Sequence, residues 1–111
     1  LVARVLTREG LEVITAESGM AAIEIVQRFP NDFDLVLLDL TMPQLDGKET
    51  FDRLVRIQPN LRVLLTSGFS EEETTDRFQG RQLAGFIQKP YRSNELSRRV
   101  RSALARPAME N

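Results

Sequence analysis

Residues 34–47 read Asp-Leu-Val-Leu-Leu-Asp-Leu-Thr-Met-Pro-Gln-Leu-Asp-Gly, and they are the most informative part of the chain. Its centre, residues 36–38, is a short apolar run of the kind found in fully buried strands. The run ends on a carboxylate, Asp39, and the turn-forming pairs Met-Pro and Asp-Gly follow at once. In an open parallel sheet, ligands bind just beyond the carboxyl ends of the strands. Asp39 is therefore either an acid at a functional edge or a strand-end residue that caps the next turn.

The composition bounds the class of protein. A chain of 111 residues with a formal net charge of −1 is expected to form one domain, with no strong attraction to nucleic acid or to anionic lipid. It contains neither cysteine nor histidine, which excludes disulfides, thiolate nucleophiles and Ser-His-Asp catalysis within these residues. No apolar run is long enough to span a membrane and no signal peptide is visible, so a cytoplasmic location without membrane contact is expected.

Helical and strand patterns alternate along the whole chain. Such alternation is typical of βαβ units, which build a parallel sheet covered by helices on both faces. The sequence therefore predicts an α/β fold with a doubly wound parallel sheet in three layers, a domain at 1–105 and a short tail at 106–111. The predicted strands are 11–16, 34–39, 61–66 and 84–88; the predicted helices are 1–9 with Gly10 as its stop, a helix capped by Ser18 and ended near Pro30, 48–57, 70–78 and a last helix capped by Ser93.

The first residues of the chain do not resemble the start of an α/β domain. The sequence opens inside an apolar helical pattern, without a cap and without a strand before it. Because such a domain normally opens with the strand that leads into its first helix, we expect an N-terminal strand to be missing from these 111 residues.

Polar residues also end the later strands of the predicted sheet. Thr66 and Ser67 precede Gly68, and Lys89 precedes Pro90, where a cis peptide bond would direct the lysine across the sheet edge. Taken singly, such residues are ordinary turn caps and surface charges. Together with the strand-end carboxylate they match phosphoryl chemistry. The carboxylate would form an acyl phosphate, the hydroxyl would donate to one phosphoryl oxygen, and the ammonium would pair with another.

In this order and spacing the motifs resemble the receiver domain of two-component signalling. The resemblance covers residues 1–105 and implies the flavodoxin-like form of the doubly wound sheet. The sequences of residues 67–72 and 86–92 also resemble those of receivers attached to hybrid sensor histidine kinases. The matching segments are Asp39-Leu-Thr-Met-Pro43, Asp46-Gly47, Ser67-Gly68 and Phe86-Ile-Gln-Lys89-Pro90-Tyr91.

The resemblance implies a role for each matching residue. Asp39 would be the phosphoacceptor, and Lys89 the lysine that binds the phosphoryl group. Ser67 would be the hydroxyl of the switch, Phe86 the aromatic side chain that changes rotamer on activation, and Thr41 the donor of a backbone carbonyl to magnesium. The phosphoryl group would come from a phosphohistidine on a histidine kinase or histidine phosphotransfer domain, since this chain has no histidine. The domain would be a regulatory phosphoacceptor and not an enzyme.

The sequence departs from the receiver pattern at the magnesium-binding acids, and it leaves open which aromatic side chain moves. Receivers hold magnesium with a pair of acids at the end of their first strand, and Glu9 and Glu12 are not substitutes for that pair. Magnesium takes oxygen ligands in a strict octahedron, so weak or absent magnesium binding is expected for this chain as written. Tyr91 is an alternative to Phe86 as the aromatic side chain that moves.

Two other classes of protein deserve comparison. A phosphatase of the haloacid-dehalogenase type also uses a strand-end aspartate, but it places a second aspartate two positions later, where this chain has Thr41. The other alternative is a phosphorylation-independent interaction module whose chemistry has lapsed. The presence of Asp39, Ser67 and Lys89 argues against that lapse, and the missing acidic pair argues for it.

Overall fold

Three parallel strands form a sheet in the order β1-β2-β3 in the computed structural model, which describes residues 2–8, 10–40, 47–72, 78 and 83–105. Helices lie between and around these strands, in the alternating order that the sequence predicts. The helices are α1 Val2–Arg8, α2 Gly19–Arg28, α3 Gly47–Ile57 and α4 Ser93–Ala105, and the strands are β1 Leu35–Asp39, β2 Arg62–Ser67 and β3 Gly85–Gln88.

The strand register brings the carboxyl ends of all three strands to one edge. In the pairing of β1 with β2, Asp39 lies opposite Thr66. In the pairing of β2 with β3, Ser67 lies opposite Gln88. Because both pairings are parallel, the residues that end each strand are neighbours, as the sequence predicts.

Each face of the sheet packs against its own pair of helices. Side chains alternate between the faces along a strand, so Leu64 and Leu65 lie in different cores. The central strand β2 is buried on both sides, which explains its continuous apolar run. The three-layer α/β prediction is confirmed. The α2/α3 side contains Ile23, Val26, Leu38, Phe51, Leu54, Val63, Leu65 and Phe86; the α1/α4 side contains Leu6, Leu64, Ile87, Leu96 and Val100, with Leu35 and Leu37 packed against it.

Local signals in the sequence fix two helix boundaries. The backbone of Gly10 has a φ of 87°, and its N–H donates to the carbonyl of Thr7 at 3.0 Å while that of Leu11 donates to Leu6 at 3.3 Å. This pair of bonds is a Schellman motif, which requires the left-handed conformation that glycine adopts at little cost. At the start of α2, the Ser18 side chain accepts from the N–H of Ala21 at 3.1 Å. Both predicted boundaries are confirmed.

The strand predicted at 11–16 is wrong. These residues belong to no regular element, although Leu11 and Val13 still pack against the α1/α4 side. A strand needs a neighbour that pairs with its backbone, and within the described residues β1 pairs with β2 and not with this segment. Only part of this segment is covered, since Ile14 is 64% exposed.

Other predicted features lie partly or wholly outside the described residues. Of the helix predicted at 70–78, the structure shows helical backbone at 71 and 72, with residue 70 just before them and a buried Phe78, and residues 73–77 lie outside. The tail predicted at 106–111 also lies outside, so the domain boundary at residue 105 stays a prediction. Among the described helices, none is both long and apolar enough to cross a membrane.

Candidate functional site

The side chains of Asp39 and Lys89 meet at the carboxyl edge of the sheet. Asp39 ends β1, and Lys89 follows β3 on the far side of β2, so their backbones are about 10 Å apart. The long lysine stem spans this gap, and its Nζ donates to Oδ2 of Asp39 at 2.5 Å. The backbone N–H of Lys89 is held by the carbonyl of Ser67 at 2.8 Å, and the Lys89–Pro90 bond is cis.

This ion pair is accessible to solvent. Each of the two side chains is about one-third exposed, with 34% for Lys89 and 33% for Asp39. A pair this exposed contributes at most about 1 kcal/mol to the free energy of unfolding, because water screens it. Its importance is therefore chemical: it places a cation beside an accessible carboxylate, where an incoming anionic group can reach both.

Tyr91 lies in the electrostatic field of this pair. Burial raises the pKa of its phenol above 10.0, the positive charge of Lys89 lowers it, and the negative charge of Asp39 raises it. The ring also packs against the α1/α4 side of the sheet. The structure therefore places this aromatic side chain beside the charged edge, and it is the one tyrosine in the sequence.

Ser67 is buried at the end of β2 on the α2/α3 side of the sheet. It is 1% exposed, and its Oγ accepts a hydrogen bond from the N–H of Phe69 at 3.0 Å. A serine hydroxyl that accepts one hydrogen bond still has its own proton to donate. The strand alternation puts Ser67 on the same face as Leu65 and Phe86. Its predicted part in the switch stays a prediction.

Phe86 is a core residue with a backbone tie to α4. Its side chain is buried on the α2/α3 side, and its carbonyl accepts from Nη1 of Arg99 at 3.0 Å. A shift of the backbone at Phe86 would therefore alter the hydrogen bond to Arg99 and so act directly on α4. The predicted rotamer change of Phe86 is compatible with this arrangement and stays a prediction.

Thr66 is a residue to which the sequence analysis gave no separate role. Its Oγ1 is buried, and no hydrogen-bond partner for it exists among the described residues. It lies opposite Asp39 in the register, so the two side chains point to the same face. The available signal was a hydroxyl residue that directly follows the apolar run at residues 63–65 of β2.

The described residues do not fit a magnesium site by themselves. They contain no group of three or more histidine, cysteine, aspartate or glutamate side chains that could hold a metal ion. Asp39 is held by Lys89, and magnesium requires several oxygen ligands in an octahedron. Thr41 and Asp46, from the segment that the resemblance links to magnesium, lie outside the described residues.

Comparison with known proteins identifies the class to which this fold and site belong. A model of the family described as the response regulator receiver domain matches residues 1–101. Because that match spans most of the chain, the chain belongs to the response regulator receiver domain family. The family resemblance drawn from the motifs is confirmed, and so is the flavodoxin-like fold.

Individual relatives agree with this assignment. The chain is 29% identical over 101 residues to the sensor kinase CckA of Brucella abortus, covering 91% of this chain and 11% of that protein. It is 29% identical over 104 residues to the chemotaxis protein CheY of Treponema pallidum, covering 93% of this chain and 72% of that protein. The crystal structure of the receiver domain of NtrX from Brucella abortus is 30% identical, with a TM-score of 0.81 and coverage of 93% and 86%.

Membership defines the general function of the chain. It is a receiver domain of two-component signalling, a regulatory phosphoacceptor, and neither rival class is favoured by the comparisons. Receiver domains generally depend on magnesium and interact with histidine kinases or phosphotransfer proteins. The chain spans only 11% of the length of the sensor kinase relative, so the activity of that whole protein is not assigned to this chain.

Proposed function

We propose that Asp39 is the residue that accepts the phosphoryl group, from a phosphohistidine on a histidine kinase or histidine phosphotransfer domain. The observation that carries this proposal is the Asp39–Lys89 contact of 2.5 Å at the carboxyl edge of the sheet. This edge is where parallel α/β sheets bind their ligands. The accessible carboxylate supplies a nucleophile, and the ammonium supplies a compact positive charge for the group that arrives.

The transfer follows from these two groups. A carboxylate oxygen of Asp39 attacks the phosphorus atom, and a new O–P bond forms as the N–P bond of the phosphohistidine breaks. The electron pair of the broken bond stays on the imidazole nitrogen, which takes a proton from solvent. Lys89 then pairs with a phosphoryl oxygen instead of the carboxylate, which offsets the charge that the acyl phosphate adds.

The same event would change the surface that the domain presents to a partner. Ser67 donates its hydroxyl proton to a phosphoryl oxygen, and Phe86 turns into the space that Ser67 leaves, or Tyr91 moves instead. The hydrogen bond that Arg99 donates to the backbone carbonyl of Phe86 supports this proposal, because it links β3 to α4. The result is a shift between two packings, biased by a local charge.

The finer points of the proposal concern metal, catalysis and location. Magnesium would be bound with help from Asp39 and the backbone carbonyl of Thr41, and weakly or not at all by these 111 residues alone. The domain would act as a phosphoacceptor that also loses its own phosphoryl group, without a substrate of its own. It would act in the cytoplasm, with no direct contact to nucleic acid or to a membrane.

Intact-mass spectrometry tests the phosphoacceptor directly. The protein as the cell makes it is incubated with phosphoramidate and magnesium, beside Asp39→Asn and the matched control Asp34→Asn at the opposite end of β1. We expect one phosphoryl adduct in the unchanged protein, none in Asp39→Asn, and an undiminished adduct in Asp34→Asn. No adduct in the unchanged protein would favour the phosphorylation-independent module instead.

A further inference from the structure

The hydroxyl group of Thr66 is buried, and within the described residues no hydrogen bond offsets the loss of its hydration. The residue is 2% exposed, and among the described residues its Oγ1 has no hydrogen-bond partner. A buried hydroxyl without a partner loses its hydration and gains nothing in return. Valine has nearly the same shape without that loss, so packing alone does not account for a threonine here.

The position of Thr66 identifies what could become its partner. In the β1–β2 ladder its register partner is Asp39, so the two side chains are adjacent on the α1/α4 face. Lys89 reaches the same face from β3 and pairs with Oδ2 of Asp39. Ser67, by contrast, lies on the other face and accepts from Phe69. Thr66 is thus a second hydroxyl at the site, on the side of the carboxyl group itself.

We infer that Thr66 is a positioning residue for phosphorylated Asp39, and that its hydroxyl donates to the carbonyl oxygen of the acyl phosphate. This inference rests on the proposed function. When Lys89 leaves the carboxyl group for a phosphoryl oxygen, the carbonyl oxygen loses its strongest donor, and a hydroxyl held beside it takes that place.

Two measurements on the same variants test this role. The variants are Thr66→Val, Thr66→Ser and, as a matched control, Thr50→Val, which alters a buried threonine of α3 on the other side of the sheet. The first measurement is urea unfolding of the unmodified protein. The second is isotope-edited infrared spectroscopy of aspartate-labelled protein phosphorylated by phosphoramidate with magnesium, which reads the carbonyl stretching frequency of the acyl phosphate.

The expected pattern separates a positioning role from a structural one. Thr66→Val leaves the unfolding equilibrium constant of the unmodified protein unchanged or lower, because it removes an unpartnered hydroxyl. In the phosphorylated protein it shifts the carbonyl frequency upward, because a hydrogen bond to that oxygen is lost. Thr66→Ser keeps the frequency of the unchanged protein, and Thr50→Val does not move it.

Specific outcomes overturn the inference. An unaltered carbonyl frequency in phosphorylated Thr66→Val would show that the hydroxyl does not contact the acyl phosphate. Failure of the unmodified variant to fold, or an unfolding constant raised by more than about twofold, would show that the hydroxyl already has a partner. If the unchanged protein takes up no phosphoryl group, the proposed function and this inference both fall, whereas uptake with an unaltered frequency rejects this inference alone.

Discussion

At the scale of single residues, the site is defined by charges that the strand ends bring together. Asp39 was identifiable from the sequence because a carboxylate ended an apolar run, and Lys89 because it ended a later strand before a proline. The structure adds that they touch across β2. It also shows that Tyr91, which the sequence analysis names only as an alternative to Phe86, is close enough to both charges to respond to them.

Tyr91 offers a direct optical test of this geometry. Absorbance of the phenolate in the folded protein should titrate with a midpoint above 10.0, because burial is the largest cause of its raised pKa. Lys89→Gln should raise the midpoint further, since it removes a positive charge, and Asp39→Asn should lower it. Lys48→Gln in α3 is the matched control. A midpoint that does not respond to either site variant would contradict the placement of Tyr91.

The same shift has a consequence for stability with a definite sign. The pKa of Tyr91 is higher in the folded than in the unfolded chain, so the folded state holds the phenolic proton more tightly. The resulting stabilisation is fully present below the unfolded value near 10 and is lost as the pH rises through the folded value. Tyr91→Phe should remove this part of the alkaline loss of stability.

At the scale of elements, the helix boundaries with local chemistry and three of the four strands were predictable, and the lack of pairing at residues 11–16 was not. Ser18 and Gly10 announce helix ends through hydrogen bonds within a few residues, and both are where the sequence predicts them. Residues 11–16 have the composition of a strand, but a strand exists only where a neighbour accepts its backbone bonds. Thr66 posed a similar problem, because the register decides which face a strand residue occupies.

The end of α1 gives a prediction at this scale. Gly10→Ala should lower the free energy of unfolding by about 1 kcal/mol, because alanine is strained at a φ of 87°. Space is not the cause, since a Cβ there would meet nothing within 4 Å. Gly68→Ala is the matched control, because that position is equally open and its φ lies outside the left-handed region. Urea unfolding measures both variants, and equal losses would refute a conformational origin.

At the scale of the whole molecule, two hydrophobic cores share one sheet. The loops between the elements must hold a defined conformation for the helices to pack on both faces. Gln58, just after α3, joins two such connections. It is 4% exposed, its Nε2 donates to the carbonyl of Phe33 at 2.8 Å, and its Oε1 accepts from the N–H of Asn31 at 3.1 Å. Asn31 itself has a φ of 68°, so this turn into β1 depends on the amide for its shape.

Replacing this amide should affect the stability of the entire domain. Gln58→Leu should lower the free energy of unfolding by about 1–3 kcal/mol, because the buried amide of Gln58 loses both of its part-buried hydrogen bonds to the backbone. Gln27→Leu, at an exposed position of α2, is the control and should change it by less than about 0.5 kcal/mol. Urea unfolding compares the two. Similar values for both variants would mean that the hydrogen bonds of the Gln58 side chain contribute nothing to the free energy of unfolding.

The location of Tyr91 also makes the domain its own indicator. The chain has one tyrosine and no tryptophan, so its tyrosine emission originates from a ring beside Asp39 and Lys89. Any event that adds charge to this edge alters the surroundings of that single fluorophore. The timing of signal arrival at this domain is therefore readable in unlabelled protein, from the intensity of ultraviolet light that it emits.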